Sequence, residues 1–406
     1  MSEPPSPPSA ETPPSAETPP SAETPTSAET PTSSELPTSA ELARMVRRDI
    51  SHWRMHAPAL VVALVVLAVG AVAGAVAFSA DHAHQVRWRV RHSGATGALL
   101  PSTVSAAWTL GQPGGPPQTH PALGGDLVIW DSAGQIMRWG LADAKASPLT
   151  AAGARRDDPA ISGTTVVWSE ATGGASDSDI YGEDLASGRV FAICTAPGAQ
   201  TQPAIDGTVV VWSDGRGPVG LSRIYGKDLA TGKEFAVGPA EPGTQQDPAI
   251  SGSTVVWTDR RDNTTASRIM AKDLAGGRLF AVSDQPFMQV APAISGTTVV
   301  WQQFTSADGS ASSINAADLK SGMVFAVAPG PSVQAAPAID GDLVVWSDNR
   351  GGRGYDVYGR RLPSADVFQI SAEDGNELDA TVSGTVVAWT WQNGFDSFVE
   401  VVRLKK

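Results

Sequence analysis

The sequence predicts an all-β fold assembled from seven copies of one four-stranded unit. Three observations carry that expectation. Pro-Ala-Ile or its equivalent recurs at Pro121, Pro159, Pro203, Pro248, Pro292, Pro337 and, degenerately, Ala380. A tryptophan follows in each copy, at Trp130, Trp168, Trp212, Trp257, Trp301, Trp346 and Trp389, with a period of 38 to 45 residues. A period in this range marks a repeat architecture. Finally, the run before each tryptophan is apolar on both faces, as in Val166, Val167 and Trp168. A one-sided sheet would alternate apolar and polar residues, so these strands lie between two neighbours.

Each copy parses into four short strands. The first is the Pro-Ala-Ile run, closed by Ser162-Gly163, Asp206-Gly207, Ser251-Gly252 or Asp340-Gly341, pairs suited to tight turns with positive φ. The second is the Val-Val-Trp run, the third reads "IYGKDL", "IMAKDL" or "DVYGRRL", and the fourth begins at Phe191, Phe235, Phe280 or Phe325. Such an antiparallel meander is one blade of a β-propeller. After Trp389 the chain offers one further strand, "FVEVVRLKK". Trp108 lies thirteen residues before Pro121, the spacing of Phe235 to Pro248. The segment around Trp108 is therefore expected to supply the missing fourth strand of the last blade and to close a seven-bladed ring, with no open sheet edge left.

"DPAISG" and "VVWSDNRGG…YDVYGRRL" resemble the TolB-type β-propeller repeats of cell-envelope proteins, over about residues 101–406. The resemblance implies a propeller used for binding and, at this level, no particular ligand. The "SPDG" turn common in TolB is replaced here by bare Ser-Gly or Asp-Gly, and seven repeats stand where TolB has six blades.

The region before the repeats is of different composition. Residues 1–43 hold seven Glu and no Lys or Arg among Pro, Ser, Thr and Ala. With so little to bury they are expected to be a disordered tail. A basic segment, 44–56, follows. Residues 57–80 run 24 residues without a charge, ~36 Å as a helix and enough for the ~30 Å hydrocarbon core. Trp53 and Trp88 flank this run, which reads as a transmembrane helix joined to the propeller by a linker, 81–100. Its length and internal position argue against a cleaved signal peptide despite Ala75-Val76-Ala77. Arg44, Arg47, Arg48 and Arg54 on one side, against Arg87, Arg89 and Arg91 on the other, favour a cytoplasmic N-terminus and an extracytoplasmic propeller. Gly70 and Gly74 form a small-xxx-small step suited to a helix dimer.

Several chemistries are poorly supplied. The formal charge of −13 argues against nucleic acid as a partner. Of the six histidines only His120 falls within the repeats, so neither a His-rich metal site nor a familiar triad is expected there, and no cofactor motif is present. Cys194 is alone, so the chain has no disulfide framework. The Asp-x-Arg pairs (Asp214 with Arg216, Asp259 with Arg261, Asp348 with Arg350) and the Asp before each Leu (Asp184, Asp228, Asp273, Asp318) recur from blade to blade and read as structural.

The expected function is binding, of another envelope or extracellular protein or else of a glycan or small molecule, rather than catalysis. Two candidate sites follow. The residue before each Pro-Ala-Ile is expected at the channel mouth, giving His120, Asp158, Gln202, Asp247, Ala291, Ala336 and Asp379, whose polar members suit a cation, a water cluster or a sugar. The long 2–3 loops and the crossovers share one face of the disc, where binding usually lives. Gln302, Gln303 and Phe304, with Trp391, Phe395 and Phe398, are the departures from the repeat assigned to that face.

Overall fold

The computed structural model describes residues 102–405, except 113, 144, 175–176, 219, 241–242, 261–265, 284, 286 and 307. The expected tail, basic segment, membrane helix with Gly70 and Gly74, and linker lie outside these residues, as does Arg261. Among the described residues no helix is long and apolar enough to cross a membrane.

The described residues form a seven-bladed all-β propeller of seven four-stranded sheets. Six take their strands consecutively from the chain, beginning with β2 (Gln118–Gly124), β6 (Arg155–Ser162), β10 (Gln200–Asp206), β14 (Thr244–Ser251), β18 (Gln289–Ser295) and β22 (Gln334–Asp340). The seventh orders β26 (Asn376–Ser383), β27 (Val386–Asn393), β28 (Asp396–Leu404) and then β1 (Val104–Leu110). Trp108 of β1 stands opposite Val401 of β28. It takes the place held by Phe191 opposite Gly182 in the second sheet.

The first strands neighbour one another all the way round, β2 beside β6 and so on to β26 beside β2. Tryptophan fills the space between sheets. Trp168, 1% exposed, packs with Tyr181 against Ile129 and Ile136 of the preceding sheet. Removing one such side chain costs ~3–5 kcal/mol.

The Ser-Gly and Asp-Gly turns also join one blade to the next. The Gly207 N–H donates to Ser162 Oγ at 3.0 Å, and the Gly252 N–H to Asp206 Oδ2 at 2.6 Å. Gly296, Gly341 and Gly384 repeat the bond to Ser251, Ser295 and Asp340. Gly125 of the first sheet donates to Ser383 of the seventh at 3.2 Å.

The recurrent acids are structural. Asp228 accepts the Ala230 N–H at 2.9 Å and the Thr208 hydroxyl at 3.0 Å, bonds that hold its carboxyl below the usual range. Asp214 pairs with Arg216 at 2.6 Å, and Asp348 with Arg350. Asp259 pairs with Arg268 at 3.1 Å.

Candidate functional site

The seven residues before the Pro-Ala-Ile runs share a backbone conformation that their sequences do not advertise. His120, Asp158, Gln202, Asp247, Ala291, Ala336 and Asp379 all have φ between 47° and 55°. Each sits at a register shift where the first strand spends one residue more than its partner, as between Thr119 and Ala122. This is a β-bulge, and Pro, with no N–H to pair, suits its second position. The strands begin earlier than the Pro-Ala-Ile run implied, so these residues stand within the strand, His120 third in β2 and Asp158 fourth in β6. They are therefore set into the channel wall rather than at the strand start.

Around the ring their side chains make an uneven belt. Asp379, His120, Asp158, Gln202 and Asp247 occupy five consecutive sheets, and Ala291 and Ala336 fill the remaining two. Gln202 and Asp247 lock together: Gln202 Nε2 donates to Asp247 Oδ1 at 2.7 Å, and the Asp247 N–H donates back to Gln202 Oε1 at 3.1 Å. The Ser213 hydroxyl donates to Gln202, and the Thr258 hydroxyl to Asp247, both at 3.1 Å. The Gln202 N–H likewise donates to the Asp158 carboxylate. Part of the belt thus satisfies backbone amides, as bulge residues commonly do.

The charged end of the belt is different. His120 Nδ1 lies 2.8 Å from Asp131 Oδ1 and 3.9 Å from Asp158 Oδ1. Burial opposes charge on this imidazole. The Asp131 hydrogen bond and the fields of Asp158 and Asp379 outweigh it, pushing the pKa up to about 10. Asp158 is enclosed by protein yet its side chain is one-third exposed. The surrounding sheets enclose both carboxyls and raise the pKa of Asp158 and of Asp379, although each side chain keeps contact with solvent, while His120 opposes the rise. His120 thus carries the cation at neutral pH. Among the described residues no group of three or more His, Cys, Asp or Glu is placed to hold a metal ion.

The six residues assigned to the long-loop face separate. Gln302, Gln303 and Phe304 are 7%, 5% and 7% exposed, because β19 (Thr298–Phe304) runs on through them. Trp391 and Phe398 are also buried and stack at 5.3 Å, as paired residues of β27 and β28. Those five therefore form interior packing and not a binding face. Phe395, in the turn between the same two strands, is fully exposed. Phe287, in the crossover before β18, is exposed as well.

Asp131 escaped sequence reasoning, although a signal was present. The residue after every repeat tryptophan is polar: Asp131, Ser169, Ser213, Thr258, Gln302, Ser347 and Thr390. Each pairs with the residue just before the bulge, as Ser213 does with Thr201. Several of them reach the belt side chains.

No protein-family model matches the sequence and no curated protein is similar to it. Solved structures are similar in fold. The β-propeller domain of the Trilobed protease from Pyrococcus furiosus, described as having an open velcro topology, matches at TM-score 0.54 and 11% identity, over 72% of this chain and 95% of that chain. TolB from Acinetobacter baumannii matches at 0.48 and 15%, over 70% and 67%. The tricorn protease matches at 0.46 and 12%, over 70% of this chain but 30% of that chain. At these identities the likeness is one of fold. Fold and belt together define a β-propeller protein with a polar, partly charged channel.

Proposed function

We propose that this protein is a membrane-anchored, extracytoplasmic propeller that binds another protein through its long-loop face. The observation that carries the reading is Phe395, a fully exposed aromatic on a tight turn between two paired strands. Exposed aromatics on a rigid scaffold are typical interface anchors. The belt adds hydrogen-bonding chemistry in the channel, from exposed Asp379 and half-exposed His120. A glycan reading loses support, since Trp391 and Phe398 are stacked and buried and offer no platform to a sugar.

In this reading residues 57–80 anchor the chain, with the tail cytoplasmic and the helix open to pairing through Gly70 and Gly74. The support is the length of the uncharged run and its basic flank. Protease added to intact cells then degrades the propeller and spares an epitope on the tail; loss of the tail instead reverses the orientation. The binding claim is tested by capture from solubilised membranes with the full chain and with Phe395→Ala. A specific partner is expected, and its recovery falls about tenfold or more with the variant. Equal recovery removes Phe395 from the interface.

A further inference from the structure

A cavity of about 320 Å³ lies between the sixth and seventh sheets, with Ala107, Thr109, Ser371, Glu373, Trp389 and Glu400 in its walls. This is near the low end of small-ligand pockets, ~300–1,000 Å³. In the third sheet the chain fills the corresponding space itself. There the Arg216 guanidinium lies 4.1 Å from the Tyr225 ring centre and is held by Asp214 at 2.6 Å and Glu234 at 2.7 Å. It also reaches Cys194 Sγ of the second sheet at 3.2 Å, and Trp212 Nε1 donates to the same Asp214 at 2.8 Å.

Register carries these positions into the seventh sheet. Trp212 stands opposite Tyr225, as Trp389 stands opposite Glu400. Glu234 lies two residues before Ala236, the partner of Tyr225, as Ala107 lies two before Thr109, the partner of Glu400. Cys194 pairs with Ile180, and Ser371 bonds Val357, the residue before Tyr358, in the same way. Three walls of the cavity, Glu400, Ala107 and Ser371, are therefore the counterparts of side chains that touch the Arg216 guanidinium, and a fourth, Trp389, is the counterpart of the Trp212 that bonds its partner Asp214. The sixth sheet repeats the arrangement, with Arg350 4.2 Å from the Tyr358 ring and Trp346 Nε1 donating to Asp348 at 3.1 Å.

Among the described residues the seventh sheet has no counterpart of the Asp214–Arg216 pair, and Glu400 takes the Thr109 hydroxyl at 3.4 Å. Trp391 stands in the place of Asp214, stacked on Phe398, with its own Nε1 donating to Asp374 O at 3.2 Å. Glu400 replaces the tyrosine. Trp389, 2% exposed, has an indole N–H with no acceptor among the described residues, as have Trp130, Trp257 and Trp301.

We propose that this cavity binds a guanidinium group from outside the sheet, seated against Glu400 and Trp389 in the slot that Arg216 and Arg350 fill in their own sheets. A planar, delocalised cation fits a carboxylate beside an aromatic wall better than a compact ammonium does. A carbonyl or carboxylate beside the guanidinium arm also gives the Trp389 N–H its acceptor. The slot shares no residue with the belt or with Phe395, so it stands whether or not the partner reading does.

The test is calorimetric titration of the full chain in detergent with N-acetyl-arginine methylamide, its neutral citrulline counterpart, and agmatine. The arginine compound binds saturably, and the citrulline compound at least about tenfold more weakly, because the charge-assisted bond is lost. Glu400→Gln weakens binding about tenfold, and Ala107→Glu, which restores the counterpart of Glu234, tightens it. Agmatine binding as well as the arginine compound points to a free small guanidine. Agmatine failing where the arginine compound binds points to an arginine of a polypeptide. No binding at millimolar ligand overturns the proposal, as does equal binding of the citrulline compound. Should Glu400→Gln fail to fold, an unchanged affinity in folded Ala107→Glu overturns it alone.

Discussion

The His120 imidazole Nδ1 lies 2.8 Å from Asp131 Oδ1, and the other oxygen of that carboxylate takes the Thr119 hydroxyl at 2.6 Å. The carboxylate thus receives two donors from one strand of its own sheet. It fixes His120 as a cation among the acids of the belt.

A pH dependence follows. The folded pKa of His120 stands at about 10 against an ordinary 6.5. A group that binds its proton more tightly when folded stabilises fully below the unfolded value, and the gain is lost as pH rises through the folded one. Between pH 7 and 10 the wild type should therefore lose stability more steeply than His120→Gln. The difference is small, because the side chain is half exposed to screening water. Proton NMR should show the His120 ring still charged at pH 8; a titration midpoint near 6.5 contradicts the assignment.

Glu377 offers a second, larger dependence. Gln200, Gln245, Gln289 and Gln334 occupy the equivalent place in other sheets, and all are buried. Burial pushes the Glu377 carboxyl up to about 8, helped by Glu400 and opposed by the Ser371 bond. Its stability contribution is greatest below about pH 4.5 and falls as pH rises to 8. Glu377→Gln keeps an acceptor for the Val357 N–H and removes the charge. It should raise stability at pH 8 by roughly 1–3 kcal/mol and flatten the profile between pH 5 and 8, as read by denaturant titration. An unchanged profile places the carboxylate in a wetter site than the structure gives it.

The bulges carry strain that glycine relieves. Ala336 has φ 47° and no side-chain bond that rewards the conformation. Left-handed backbone costs an L-residue ~1–2 kcal/mol. Ala336→Gly should then be neutral or stabilising by up to about 1 kcal/mol, whereas alanine to glycine elsewhere in a strand destabilises. A loss of more than about 1 kcal/mol in denaturant unfolding contradicts the strain assignment.

Removal of residues 101–112 takes away β1, leaving β28 an unpaired edge and uncovering Val399 and Val401, both fully buried. The cost should be roughly 3 kcal/mol or more, with aggregation visible by light scattering. A soluble protein with an unchanged melting temperature shows that this pairing does not stabilise the ring.

The repeat made the fold legible, because seven aligned copies separate architecture from chance. The belt was legible as a set of positions, but not as bulges. Conformation at Asp158 or Ala336 depends on how two strands share register, which no single residue type reports. The long-loop face was misread at Gln302, Gln303 and Phe304 because departure from a repeat was equated with exposure. In fact β19 extends through them and buries them. The guanidinium slot was invisible for a related reason. Glu400 and Ala107 come from opposite ends of the repeat region and meet only when β1 lies along β28.

Binding of a protein by the long-loop face is read out by site-specific photo-cross-linking. A benzophenone amino acid is placed at Phe395, and for comparison at Thr231, an exposed turn residue on the opposite face. Cells are irradiated and the full chain is recovered. A discrete higher-mass adduct is expected from position 395 and none from position 231. Adducts of equal yield from both positions, or none from 395, contradict it.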